Sequence, residues 1–266
     1  MLTLRTEPFP RPRDLSDATD PAVLYVRSYL LIRTVVGVLG VLLPVALLAG
    51  EAVGVPGPVQ VRDSLSAYYH TGLQDLFVGS FSVIAFLLAT YLAGQPRTAE
   101  FLLSLTAGVA LLVVVAFPIA RSGLPAGAPM CGTTPQPPGC SPVEQALGEG
   151  VAEHVHEVAA AVAFLALAGV SFLFARAERR DGGSRAAATA HVAFGVLMLA
   201  AEVLALVGSL RGLRVGPVSA LYVGEVVALW AFGASWLLAG RDLWLRLVDR
   251  RRRPAALGVH DLAPRG

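Results

Sequence analysis

Leu30-Leu31-Ile32-Arg33-Thr34-Val35-Val36-Gly37-Val38-Leu39-Gly40-Val41-Leu42-Leu43-Pro44-Val45-Ala46-Leu47-Leu48-Ala49-Gly50-Glu51-Ala52-Val53 is almost wholly apolar, with charges only near its two ends. As a helix it is about 36 Å long, enough to cross a hydrocarbon core of roughly 30 Å. Pro44 is tolerated in such a helix because neighbouring helices can satisfy the backbone it disrupts. Five more blocks of similar character follow, at about 76–94, 101–120, 151–175, 187–210 and 218–240. The expected fold is therefore all-α, an integral membrane bundle of six transmembrane helices.

Composition agrees. The chain has 266 residues, 55% hydrophobic and 15% charged, with a mean hydropathy of +0.64. Soluble domains carry roughly 25% charged residues. The apolar excess falls in membrane-length blocks, which separates this pattern from a soluble protein with a large core. The net charge of +2 gives no strong field, and no P-loop, dinucleotide fingerprint, serine elbow or zinc-finger spacing is present. Nucleic acid is not an expected partner; the lipid bilayer is.

All basic residues are Arg, and their placement sets direction. With the N-terminus inside, the cytoplasmic segments hold Arg5, Arg11, Arg13, Arg27, Arg97, Arg176, Arg179, Arg180, Arg185, Arg241, Arg246, Arg250–Arg253 and Arg265. The outer segments hold Arg62, Arg121, Arg211 and Arg214. The positive-inside rule then puts both termini in the cytoplasm. Arg33, at the inner end of the first helix, is expected to snorkel toward the headgroups. Residues 1–28 read as a cytoplasmic tail rather than a cleavable signal, residues 29–240 as the transmembrane domain, and residues 241–266 as a basic cytoplasmic tail. In that tail Arg250, Arg251, Arg252 and Arg253 are placed to meet anionic lipid. Arg in place of Lys, with abundant Ala, Gly, Val and Leu, points to a GC-rich bacterial genome and so to the bacterial cytoplasmic membrane.

This orientation leaves an outer loop, 121–150, rich in Pro and Gly. Cys131 and Cys140 both lie in it. Outside the cell a disulfide between them is permitted; two free thiols are the alternative. Two Cys alone do not complete a tetrahedral metal set.

Ionisable residues inside a membrane are costly and mark candidate sites. They gather at the outer side. The first outer loop carries Ser64-Leu65-Ser66-Ala67-Tyr68-Tyr69-His70-Thr71, and Asp75 opens the second helix. The fourth helix begins with Glu153-His154-Val155-His156-Glu157, the fifth contains Glu202 and the sixth Glu225. His154 and Glu157 are three apart, as are Glu153 and His156, so one helix cannot aim all four at one point. Ser66, His70, Asp75, Glu202 and Glu225 are the candidate catalytic groups. His70, His154 and Glu157 are the candidate ligands for a divalent metal such as zinc. The competing readings are helix-dipole compensation for Glu153 and Glu157, interfacial anchoring for Tyr68 and Tyr69, and hydrogen bonding between helices for Glu202 and Glu225. His191, near the inner end of the fifth helix, reads as structural.

The run Ser64–Thr71 followed by Asp75-Leu76-Phe77-Val78-Gly79 resembles a signature of bacterial multi-pass membrane proteins of uncharacterised function. More distantly, the chain is similar to the alkaline ceramidase and adiponectin-receptor superfamily, seven-helix zinc-dependent amide hydrolases of lipids. In that superfamily a Ser and a His are separated by three residues, an Asp follows in the next helix, and a His pair lies near the end. Ser66-x-x-x-His70 matches the first element. Asp75 comes earlier than the second, Glu225 stands where the His pair would be, and six helices are counted. The resemblance implies a metal-dependent hydrolase acting on a lipid or lipid-linked substrate at the outer leaflet. A small proton-coupled transporter using Glu202 and Glu225, or a non-catalytic interaction or sensor protein, are the other classes the residues allow.

Overall fold

A computed structural model describes residues 21–54, 61–91, 97–121, 124–125, 127–180 and 182–252. Its long helices are α1 (Pro21–Gly54), α2 (Gln74–Thr90), α3 (Ala99–Ala116), α5 (Glu149–Arg180), α6 (Arg185–Arg211) and α7 (Ala220–Arg252). A short helix, α4 (Pro142–Leu147), a 3-10 turn (Ser66–His70) and a two-stranded hairpin, β1 (Arg214–Val215) with β2 (Val218–Ser219), complete the described chain. The protein is all-helical in its framework, and five helices are long and apolar enough to cross a membrane: α1, α3, α5, α6 and α7. The remaining expected span, α2, has 17 residues. It ends at Thr90 because Tyr91 turns extended (φ −60°, ψ 126°), before the expected boundary at 94. The expected third span also closes early, at Ala116. Pro118 disfavours helix at the residue before it, and Phe117 is extended (φ −113°, ψ 93°).

Helical structure runs into both segments expected as tails. Helix α1 already begins at Pro21, and α7 continues through Arg250, Arg251 and Arg252. Residues 1–20 and 253–266, Arg253 among them, lie outside the described residues.

The six long helices close a ring. Each packs on its sequence neighbour, α3 meets α5 directly, and α7 returns to α1. Small residues let the backbones approach, as at other membrane helix interfaces. A Cβ on Gly233 of α7 would lie 2.8 Å from the Gly37 carbonyl of α1, and one on Gly224 would lie 2.6 Å from the Ala201 carbonyl of α6. Bulky residues such as Leu42, Val45, Phe86, Leu165, Val203 and Leu206 point outward and are exposed, the distribution a lipid solvent permits.

Arg33 does not snorkel. It is buried, at 9% exposure, because its guanidinium ties four elements together. Nε donates to Tyr91 Oη at 2.8 Å, Nη1 to the Ala239 carbonyl at 2.9 Å and Nη2 to Tyr29 Oη at 2.7 Å. Glu100 lies 3.5 Å away as counter-charge and accepts from Tyr91 Oη at 3.0 Å. The guanidinium also stacks on Phe174 of α5, 4.7 Å from its centroid. Beside it His191, read as structural from sequence, is fully buried. Its Nδ1 lies 2.9 Å from Ser235 Oγ, which is 2.7 Å from Ser171 Oγ.

Candidate functional site

The opposite end of the ring carries the candidate site, and a folded-in loop supplies its centre. Residues 61–73 lie over the bundle instead of projecting from it. Arg62 pairs with buried Glu51 of α1. Arg214 of the β1–β2 hairpin meets Asp63 at 2.7 Å, and Ser219 Oγ donates to the Asp63 carbonyl. Ser64 Oγ caps the turn by accepting from Ala67 N at 3.0 Å. These restraints drive Ser66 and Tyr68 inward, where both are buried. Burial also pushes the Tyr68 and Tyr69 phenols above their ordinary range, so both remain neutral.

Ser66 meets His156. His156 Nε2 lies 2.9 Å from Ser66 Oγ. His156 Nδ1 faces the Phe117 carbonyl at 2.7 Å and the Val114 carbonyl at 3.1 Å. Carbonyls only accept, so Nδ1 carries the proton, and in the neutral ring Nε2 is left as an acceptor for the Ser66 hydroxyl. The third member is Glu225 of α7. Its carboxylate accepts from Leu65 N and lies 3.4 Å from Ser66 Oγ. The short contact to His156 and the long one to Glu225 favour a hydroxyl proton directed at the imidazole. Chemically, the arrangement can supply a nucleophile in Ser66 and a base in His156, with two backbone carbonyls orienting the imidazole and Glu225 holding the Ser66 turn.

Ser66, His156 and Glu225 line a cavity of about 330 Å³. Glu157, Ala161 and Leu165 of α5, and Glu202, Val203, Leu206, Ser209 and Leu210 of α6, also line it. Of the candidates read from sequence, Ser66, Glu202 and Glu225 thus meet at one cavity. His156, outside the candidate set, is the residue that joins them.

The others lie elsewhere. His70 Nε2 is engaged by the Ile119 carbonyl at 2.6 Å and is 3.8 Å from Glu144 Oε1. His154 is in the groove between α3 and α5, with Val109 and Val158. Asp75 is exposed in the first turn of α2, where an acid complements the helix dipole. His70, His154 and Glu157 consequently occupy three different surroundings and do not form the expected zinc site. Among the described residues, the one grouping of three ligand-type atoms within 4.8 Å is Cys131, Glu144 and Glu149. Its sulfur is committed to the Cys131–Cys140 disulfide. Glu149 there binds Arg121 and the Cys131 amide, and Ser141 with Glu144 forms a capping box on α4. These contacts hold the segment 127–149 over the bundle, and they are structural.

No family model, curated protein or solved structure matches the chain. The chemistry of the site rests on its own geometry.

Proposed function

We propose that the chain is a multi-pass membrane hydrolase that cleaves an ester or amide bond of a lipid or lipid-linked substrate at the outer leaflet. The observation that carries this reading is the 2.9 Å contact between Ser66 Oγ and His156 Nε2 at the wall of the cavity. In the reading, Ser66 Oγ attacks the acyl carbonyl carbon and its proton passes to His156 Nε2. The tetrahedral adduct collapses as His156 returns that proton to the departing oxygen or nitrogen. Water then attacks the acyl-serine, giving its proton to His156, and the carboxylic acid leaves as Ser66 regains its hydrogen. Glu225 positions Ser66 through the Leu65 amide, and Glu202 faces the same space.

The accompanying topology has α2 as a sixth crossing, both termini in the cytoplasm and Arg250–Arg253 at an anionic inner leaflet of a bacterial cytoplasmic membrane. Seventeen residues span about 25 Å, near the lower limit for a crossing, and the Arg distribution supports this direction.

A proton-coupled carrier has less support. Glu225 and Ser235 lie about 15 Å apart along α7, and the buried Leu229 and Phe232 lie between them. The enzyme reading is tested by hydrolysis of acyl esters and amides by the full chain in nanodiscs. Release of carboxylic acid by wild type and not by Ser66→Ala supports it; equal release by both contradicts it.

A further inference from the structure

The cavity has a chemical bias and a side on which it opens, and together they narrow the substrate. Its polar wall carries three carboxyl side chains, Glu157, Glu202 and Glu225, and no Arg or Lys lines it. Glu225 is engaged by the Leu65 amide, whereas no hydrogen-bond donor among the described residues reaches Glu202. A phosphate or carboxylate placed here would meet acids without a counter-charge. An ammonium group would meet carboxyl oxygens able to accept its hydrogen bonds and to balance its charge.

The mouth lies between α5 and α6. At their inner halves the helices touch so closely that a Cβ on Gly195 would fall 2.5 Å from Phe172. Toward their outer halves the space between them becomes the cavity. Its rim residues Leu165, Val203, Leu206 and Leu210 are 55%, 61%, 60% and 74% exposed, on the surface that faces lipid. Its volume, about 330 Å³, is at the small end of ligand sites, which run from roughly 300 to 1,000 Å³. That is room for the reacting part of one acyl chain with a small head group, and too little for two chains side by side.

Resting on the hydrolase reading above, we infer that the substrate is a single-chain cationic amphiphile, an acyl ester or amide bearing an ammonium group, which enters sideways from the outer leaflet between α5 and α6. Its chain lies against Leu165 and Leu206, its ammonium meets Glu157 and Glu202, and its acyl carbon is presented to Ser66.

The test separates binding from turnover. The full chain and its Ser66→Ala variant are placed in phosphatidylcholine nanodiscs and titrated with spin-labelled tetradecylamine and spin-labelled tetradecanoate, neither of which has a bond to cleave. Saturable immobilisation of the amine, at least tenfold tighter than of the carboxylate and equal in both chains, is expected. Glu157→Gln with Glu202→Gln should remove the preference, and Leu206→Trp should block the mouth. Equal binding of both probes, no binding, or a preference that survives the double Gln variant overturns the inference. A cationic preference in a chain that hydrolyses nothing supports the cavity's selectivity and contradicts only the hydrolase reading.

Discussion

His156 Nε2 and Ser66 Oγ stand 2.9 Å apart although 90 positions separate them in the chain. The contact joins a loop folded into the bundle to the second turn of a membrane helix. If this pair is the nucleophile and its base, His156→Ala and Ser66→Ala each lower acyl hydrolysis by roughly a hundred- to ten-thousand-fold, and the double variant is no worse than the single ones. Steady-state rates in nanodiscs, with circular dichroism to confirm retained helix, check this.

The helices were legible in the sequence because lipid demands apolar runs of fixed length, and α1, α3, α5, α6 and α7 follow them closely. The site was legible only in part. Ser66, Glu202 and Glu225 stood out as polar groups in costly places. His156 was passed over for His154, though the helix carries the signal that separates them. His156 shares a stripe with Ala152, Ala159 and Ala163, all buried, whereas His154 shares one with Val151, Val158 and Leu165, all exposed. In a bundle solvated by lipid, small residues face helices and bulky ones face out. His70 misled because the fold brings the Ile119 carbonyl to its ring, a contact across 49 positions that no local spacing reveals. Arg33 misled for a similar reason, since Tyr91 and Glu100 lie about 60 positions on and Ala239 206 positions on.

Glu225 is expected to act by holding the loop. Glu225→Gln keeps an acceptor for the Leu65 amide and should retain most of the fold stability. Glu225→Leu orphans that amide and should cost about 1–3 kcal/mol. Thermal unfolding in detergent distinguishes the two, and equal melting of both variants would remove the positioning role.

The inner network makes a stronger demand. Arg33→Met leaves Glu100 buried without its counter-charge, for which the expected loss is about 3–5 kcal/mol. Replacing both, Arg33→Met with Glu100→Leu, should recover a large part of it. Reversible unfolding of the single and double variants gives the coupling directly, and additive losses would show that the pair is not coupled.

Cys131→Ser opens the outer loop. Closing a loop of this length stabilises by about 2–3 kcal/mol in the chain-entropy description, so the variant should expose 127–148 to protease applied from outside while the helices remain protected. Cleavage seen only from the inner side would invert the proposed orientation.

The most direct measurement is covalent labelling of the intact chain in nanodiscs with an alkyl fluorophosphonate, followed by peptide mass spectrometry. A serine activated by His156 displaces fluoride and carries one phosphonyl group. The account predicts a single adduct on Ser66 in wild type, and its loss in His156→Ala with the helical fold intact. A wild-type chain unlabelled at Ser66, or labelling there that is undiminished without His156, would contradict it.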